Sequence, residues 1–142
     1  MTVTLPHTDR RYIHCMTVLN VTDGDVLRVG ILEGDMYESA VFLKANENTL
    51  EFIFKPEPIS VNPLAQLGNM SLILTLPRPK VLNRLWTVFG QLGFRRVILV
   101  NAERVEKCYF SSHLLGEANY RPRLIKGLEQ AAATTRVPEI SI

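Results

Sequence analysis

The sequence has few residues that bind metals or form disulfides. Cys15 and Cys108 are the only cysteines in 142 residues, and they are far apart. The three histidines, His7, His14 and His113, are scattered, and there is no Cys-x-x-Cys pair. Disulfide frameworks and zinc sites both need clustered ligands, so neither is expected. We predict two reduced thiols, no bound metal and a reducing compartment.

Long apolar runs are also missing. No run approaches the roughly 20 residues that a helix needs to cross a bilayer. The start, MTVTLPHTDRR, has neither the basic start nor the long apolar segment of a secretory signal, and Asp9 argues against a transit peptide. We therefore expect no membrane partner and a cytoplasmic location, or an organellar one if the source is eukaryotic.

Common catalytic motifs are absent as well. The chain has no G-x-G-x-x-G sequence, no Walker loop and no G-x-S-x-G elbow. Cys108 is a conceivable nucleophile, because His113 follows five residues later. A half-buried thiol beside Tyr109 and Phe110 is the favoured interpretation.

The charge is divided unevenly along an otherwise ordinary globular composition. The chain is 46% hydrophobic and 21% charged, with a net charge of +2. Residues 1–70 hold five Lys and Arg against nine Asp and Glu, a net charge of −4. Residues 71–142 hold eleven against five, a net charge of +6. The second half is therefore either the partner of a phosphate-bearing ligand or a solvated basic surface.

The first half has the pattern of a small β domain. Short strand-like runs over residues 10–55 are separated by turn residues, and Tyr37–Leu43 and Thr49–Phe54 flank Asn46-Glu47-Asn48 as a hairpin. We predict an antiparallel β-barrel over residues 1–60, because closure protects strand edges. The prolines and Gly68-Asn69 place a linker near residues 58–69.

The second half changes to the pattern of a parallel α/β sheet. Ser71–Leu76 and Arg96–Val100 are apolar strands, and Lys80–Leu92 between them is an amphipathic helix that ends at Gly93. This unit predicts a parallel strand pair with a right-handed crossover. A second helix, with Pro122 in its first turn, precedes an extended stretch at residues 137–142. We predict an incomplete parallel sheet over residues 70–142.

Polar residues follow both apolar strands at their carboxyl ends. Lys80 comes after the first strand, and Arg104 and Lys107 come after the second. Because these loops open on the same sheet edge, the three cations are candidates for a phosphate or carboxylate site. The alternative is that Arg78 and Lys80 only start a helix and are solvated.

The aromatic residues divide into core and surface candidates. We predict that Trp86, Phe89 and Phe94 are core, and that Tyr109 and Tyr120 are more exposed. The stretch Tyr120-Arg-Pro-Arg123 combines an aromatic ring with two cations, a combination that binds RNA but also occurs at ordinary helix starts.

Five segments in register resemble the ribosomal RNA small subunit methyltransferase E family, whose members belong to the SPOUT (trefoil-knotted) class. They are Leu76-Pro-Arg-Pro-Lys80, Gln91-Leu-Gly93, Asn101-Ala-Glu-Arg104, Leu128-Glu-Gln130 and Arg136-Val-Pro-Glu-Ile140. The first half is similar to the PUA-like barrel of that family, through His14, Val18-Leu19 and Gly24-Asp25. The resemblance covers residues 5–142.

The resemblance implies methyl transfer from S-adenosylmethionine to N3 of a uridine in small-subunit rRNA, by a homodimer. It implies that Arg104 is catalytic, by stabilising the anion of the deprotonated base. The residues that it implies for RNA binding are Lys80, Gln130 and Arg136. Arg78, Arg121 and Arg123 are further RNA-binding candidates because of their charge and position. The cofactor-binding residues are unknown in this chain, because the family carries them in a C-terminal segment, with the knot, that this sequence does not contain.

Two departures from the family pattern lower the charge of the barrel. Asn20 and Thr17 stand where the family commonly has basic residues. Because the family's cofactor-binding C-terminal segment is absent from this sequence, we expect that this chain alone neither binds S-adenosylmethionine nor methylates RNA. The alternatives are a non-catalytic RNA-binding module and an α/β domain with no RNA role.

Overall fold

The computed structural model describes residues 2–44, 48–59 and 69–142. These form two compact units, of which unit 1 contains Met1–Gly30 and Asp35–Ser60, and unit 2 contains Ile31–Gly34 and Val61–Ile142. Most of the predicted linker, residues 60–68, lies outside the described residues. Each unit is described separately below.

Unit 1 contains a four-stranded antiparallel sheet. Its strands are β1 (Thr2–Pro6), β2 (Val26–Gly30), β3 (Met36–Lys44) and β4 (Thr49–Phe54), in the order β1-β4-β3-β2. The predicted pairing of β3 with β4 is confirmed, although residues 45–47, which include most of the predicted hairpin turn, lie outside the described residues. In β4 the side chains of Leu50, Phe52 and Phe54 are buried, as the alternating pattern predicts.

The predicted closed barrel is wrong for the described residues, because β1 and β2 form two open edges of the sheet. Part of the segment that was expected to supply strands is helical. It forms α1 (Arg10–His14) and a single π-helical turn (Cys15–Leu19), which ends at Asn20 in the left-handed conformation with φ of 50°. A segment whose backbone bonds are used within a helix cannot extend the strand ladder.

The core of unit 1 lies between the sheet and this helical segment. Buried side chains from both meet there, and burial raises the pKa of the Cys15 thiol. The buried residues of this cluster are Leu5, Cys15, Val21, Leu50, Phe52 and Phe54. The helical segment is therefore a structural part of unit 1.

Unit 2 contains a three-stranded parallel sheet, as predicted. Strands β5 (Ser71–Thr75), β6 (Arg96–Val100) and β7 (Glu139–Ser141) lie in the order β5-β6-β7. Helix α2 (Pro79–Leu92) connects β5 to β6 and ends at Gly93, whose φ is 66°. Between β6 and β7 come two 3₁₀ turns (Lys107–Ser111 and His113–Leu115) and helix α3 (Glu117–Ala131).

Within residues 69–142, the apolar core lies on one face of this sheet. Val97 and Leu99 of β6 pack with Leu82 and Trp86 of α2 and with Leu124 of α3. On β5 the alternate residue Ile73 points away from this core and is 68% exposed. The two helices therefore cover the same face of the sheet.

Helices α2 and α3 pack backbone to backbone through a pair of glycines. A Cβ atom on Gly90 would overlap the Leu124 carbonyl, and one on Gly127 would overlap the Thr87 carbonyl. The Gly127 position would also bring a Cβ within 3.0 Å of the Gly90 Cα. The close approach requires both residues to lack a side chain.

The predicted position of Pro122 in a first helical turn is wrong. Helix α3 begins at Glu117, with Gly116 as its N-cap, and Pro122 lies inside the helix. Pro122 has no N–H to donate to the Ala118 carbonyl, so one intrahelical hydrogen bond is missing. The packing of Leu124 and Leu128 against unit 2 stabilises the helix through this position.

The glycine contact leads to a stability prediction. We expect Gly127→Ala to lower the free energy of unfolding of unit 2 by about 1–3 kcal/mol, because the added methyl group overpacks the interface. Helix propensity alone predicts the opposite sign, since alanine is favoured over glycine by about 1 kcal/mol. Urea titration followed by the fluorescence of Trp86, the only tryptophan, measures the effect.

The control is Lys126→Ala, at an exposed neighbour on the same helix, for which we expect little change. A Gly127→Ala protein that is more stable than the wild type would contradict the packing argument.

A second prediction concerns the start of α1. Asp9 caps this helix by accepting the Arg11 backbone N–H at 2.8 Å, and it pairs with the Arg11 guanidinium at 2.7 Å. Its side chain is 22% exposed. Hydrogen bonds from the Arg11 side chain and backbone lower the pKa of Asp9 from 3.8 to about 2. Because the folded-state pKa is the lower one, the stabilisation is complete above about pH 4 and is lost toward about pH 2.

We expect Asp9→Ala to destabilise unit 1 by about 1 kcal/mol at neutral pH, and the difference from wild type to vanish near pH 2. Thermal unfolding followed by circular dichroism at the two pH values measures this, with Asp35→Asn, at an exposed position, as the control. A difference that persists at the lower pH would exclude the ionised cap as its cause.

Candidate functional site

The carboxyl ends of β5 and β6 lie side by side. Thr75 is opposite Val100 in the parallel register, and the Leu76 N–H donates to the Val100 carbonyl at 2.9 Å. The loops that follow these strands, residues 76–80 and 101–107, therefore open on the same edge, as the sequence predicts. We call this the carboxyl edge.

The first loop places two cations at the start of α2. Arg78 is the N-cap residue, Pro79 follows at the first helical position, and Lys80 is the second residue of the helix. The Arg78 carbonyl accepts the Val81 and Leu82 N–H groups at 2.9 and 3.0 Å. This fixes the backbone and leaves the Arg78 and Lys80 side chains exposed.

The second loop is organised around the Glu106 carboxylate. The Tyr109 hydroxyl donates to Glu106 Oε1 at 3.1 Å, and the Cys108 thiol lies 3.6 Å from Glu106 Oε2. Desolvation and the hydrogen bond to Glu106 raise the pKa of the Tyr109 phenol, while the Arg78 guanidinium opposes the rise. At neutral pH the phenol is therefore protonated and acts as a donor.

The second contact of Glu106 involves Cys108, the candidate nucleophile of the sequence analysis. Cys108 is exposed, not half-buried as expected from the sequence, and its thiol is directed at the Glu106 carboxylate. The described part of the chain contains no group of three or more His, Cys, Asp or Glu side chains that is suited to hold a metal ion. The two loops of the carboxyl edge therefore hold four cationic side chains, the carboxylates of Glu103 and Glu106, and Tyr109 beside them.

The sequence-predicted site residues fall in three places. Arg78, Lys80 and Arg104 follow strands and lie at the carboxyl edge. Arg121 and Arg123 lie in the first two turns of α3. Arg121 is 3.7 Å from Glu117, and the Arg123 guanidinium donates to the Asn119 carbonyl.

Gln130 and Arg136 lie at the opposite, amino edge of the sheet. Gln130 is near the end of α3, where its side-chain oxygen accepts the Gln91 amide at 2.6 Å. Arg136 precedes β7, beside Val137, whose N–H donates to Glu33 at 2.9 Å. A five-residue strand is about 16 Å long, so these two residues and Arg104 are separated by roughly that distance along the strands.

Glu106 is the residue of this site that sequence reasoning missed. It follows a strand, and it stands three residues before an aromatic residue with a hydroxyl group. A carboxylate and a tyrosine three residues apart in a loop after a strand are the sequence signal for this side-chain hydrogen bond.

Comparisons with known proteins identify the class of this fold. No family model matches the chain. The crystal structure of a ribosomal RNA small subunit methyltransferase E from Neisseria gonorrhoeae, bound to S-adenosyl methionine, matches with a TM-score of 0.65 at 19% identity, over 100% of this chain and 55% of that one. A predicted RNA methyltransferase from Thermotoga maritima matches with a TM-score of 0.57 at 17% identity, over 99% and 59%. The fold of this chain is therefore similar to that of a little over half of each of these two structures.

One curated relative is more similar in sequence. The chain is 31% identical over 134 residues to the ribosomal RNA small subunit methyltransferase E of Treponema pallidum, across 94% of this chain and 48% of that protein. The chain is a homologue of ribosomal RNA small subunit methyltransferase E, and the resemblance seen in the five segments is confirmed. It spans about half the length of this curated relative.

The exposed cations of the carboxyl edge differ from the lining of a typical small-molecule site. A ligand of the size of S-adenosylmethionine needs a concave site with mostly apolar walls. At the carboxyl edge the side chains of Arg78, Lys80 and Arg104 are charged and exposed. These residues suit an anionic partner better than an adenosine.

Among the described residues, no helix combines the length and the apolar character that a membrane span requires.

Proposed function

We propose that this chain is part of a methyltransferase that uses S-adenosylmethionine to modify N3 of a uridine in small-subunit rRNA. The observation that carries the proposal is the 31% identity, over 94% of the chain, to the ribosomal RNA small subunit methyltransferase E of Treponema pallidum. We also propose that this methyltransferase is a homodimer and that it acts in the cytoplasm. S-adenosylmethionine would supply the methyl group, and the described residues would bind and orient the RNA.

In this proposal the carboxyl edge faces the target nucleotide. Arg78 and Lys80 are exposed cations on a fixed helix start, and they would contact phosphates. Arg104 lies in the neighbouring loop, where its guanidinium would stabilise the negative charge that develops on a uridine when N3 loses its proton. Arg121 and Arg123 would extend the positive surface along α3. Gln130 and Arg136, at the amino edge, would contact a different part of the RNA.

The chain alone is not expected to bind the methyl donor, because the exposed cations of the carboxyl edge do not suit an adenosine. Isothermal titration of residues 1–142 with S-adenosylmethionine should give no measurable heat of binding. Binding at micromolar concentrations would contradict this prediction.

A second candidate function is a non-catalytic RNA-binding module. The net charge of +6 over residues 71–142 favours it, because phosphate binding needs only positive charge. The two functions differ in selectivity. A part of the methyltransferase should prefer small-subunit rRNA fragments, whereas a general RNA binder should bind large-subunit fragments equally well.

The carboxyl edge can be tested by its salt dependence. We expect Lys80→Gln and Arg104→Gln each to weaken binding of a labelled small-subunit rRNA fragment, and to lower the slope of log affinity against log salt by about 0.7–0.9. Fluorescence anisotropy over a range of salt concentrations measures both quantities.

The control is Arg95→Gln, which removes the same charge before β6, at the amino edge. If all three variants weaken binding equally, the carboxyl edge is not the RNA-binding surface.

A further inference from the structure

The two tyrosines that the sequence leaves as surface candidates have different environments. The Tyr120 ring lies 5.1 Å from the ring of Trp86, which is fully buried, and burial raises the pKa of the Tyr120 phenol. Tyr120 therefore contributes to the packing of α2 against α3. Its ring is engaged with Trp86 in this core.

Tyr109 has a different environment, at the carboxyl edge. Its side chain is half-buried and packs against the core cluster of unit 2. In the described part of the chain, the four aromatic pairs do not include Tyr109. Core packing supports its ring, part of the ring stays accessible, and the Arg78 guanidinium is a hydrogen-bond partner of its hydroxyl group.

The hydroxyl end of this ring is held by Glu106. One carboxylate oxygen accepts the phenol at 3.1 Å, and the Tyr109 backbone N–H donates to the Glu106 carbonyl at 3.0 Å. The other carboxylate oxygen lies 3.6 Å from the Cys108 sulfur. Two hydrogen bonds to Glu106 therefore hold Tyr109, one at its backbone and one at its hydroxyl group.

We propose that Tyr109 stacks on a nucleobase of single-stranded RNA, and that Glu106 is the positioning residue that holds its ring. The proposal deepens the proposed function and rests on the RNA-binding role given there. A supported aromatic ring next to a cation has the combination that single-stranded RNA requires, since the base stacks on the ring and the phosphate pairs with the cation.

Two oligomers separate stacking from phosphate binding. One is a fluorescent uridine octamer, and the other is a ribose-phosphate octamer of the same length without bases. We expect Tyr109→Leu to weaken binding of the uridine octamer by at least about fivefold, and to leave binding of the abasic octamer and the salt slope unchanged. Tyr109→Phe keeps the ring and should retain most of the affinity.

The role of Glu106 is tested by a pair of variants with the same charge. Glu106→Ala removes the acceptor of the phenol, whereas Glu106→Gln keeps an oxygen in that place. Both remove one negative charge, so the difference between them reports the hydrogen bond alone. We expect Glu106→Gln to bind the uridine octamer several-fold more tightly than Glu106→Ala, and the two to bind the abasic octamer equally.

A measurement on the wild-type chain covers the case in which Tyr109→Leu fails to fold. In NMR spectra, the ring protons of Tyr109 should shift upfield when the uridine octamer is added, and not when the abasic octamer is added. Absence of this shift, or an equal loss of affinity for both octamers in Tyr109→Leu, overturns the stacking proposal and leaves RNA binding intact. If the wild type binds neither octamer, the stacking proposal fails, and the proposed function is decided separately by binding of the small-subunit rRNA fragment.

Discussion

The contact between Gly90 and Gly127 determines how unit 2 is built. It lets α2 and α3 approach until backbone touches backbone, and so both helices fit on one face of a sheet of only three strands. This arrangement encloses Trp86 between the two helices and the sheet. Each helix returns from the carboxyl edge to the amino edge, because it connects two parallel strands.

The parallel half was predictable because its signals are local. The apolar stripe of α2, the terminating Gly93 and the two apolar strands are all read within a few residues of sequence. The antiparallel half was predicted less well. The apolar residues Ile13, Val18 and Leu19 look like strand residues, yet they are 50%, 60% and 49% exposed on a helical segment. Closure of a barrel depends on pairing between distant strands, and no local pattern reports that.

The candidate site shows the same division between local and tertiary information. The position of Arg78, Lys80 and Arg104 follows from the order of strands and loops, and the parallel register of β5 and β6 agrees with it. The separation of Arg136 from these residues also follows from topology, because a residue that precedes a parallel strand lies at the amino edge. The bond between Glu106 and Tyr109 depends on the shape of a 3₁₀ turn, and spacing alone does not specify that shape.

The strand order of unit 1 also determines when its sheet can form during synthesis. Strand β1 is made first, but its partner is β4, and Thr2 pairs with Ile53. At about 5–20 residues per second, β1 remains without its partner for roughly 2–10 seconds after it is translated. Non-local pairing of this kind slows folding, whereas the β5–α2–β6 unit joins neighbours in sequence. Strand β1 therefore pairs long after it is synthesised, whereas β5 and β6 can pair as soon as the helix between them and β6 itself have been made.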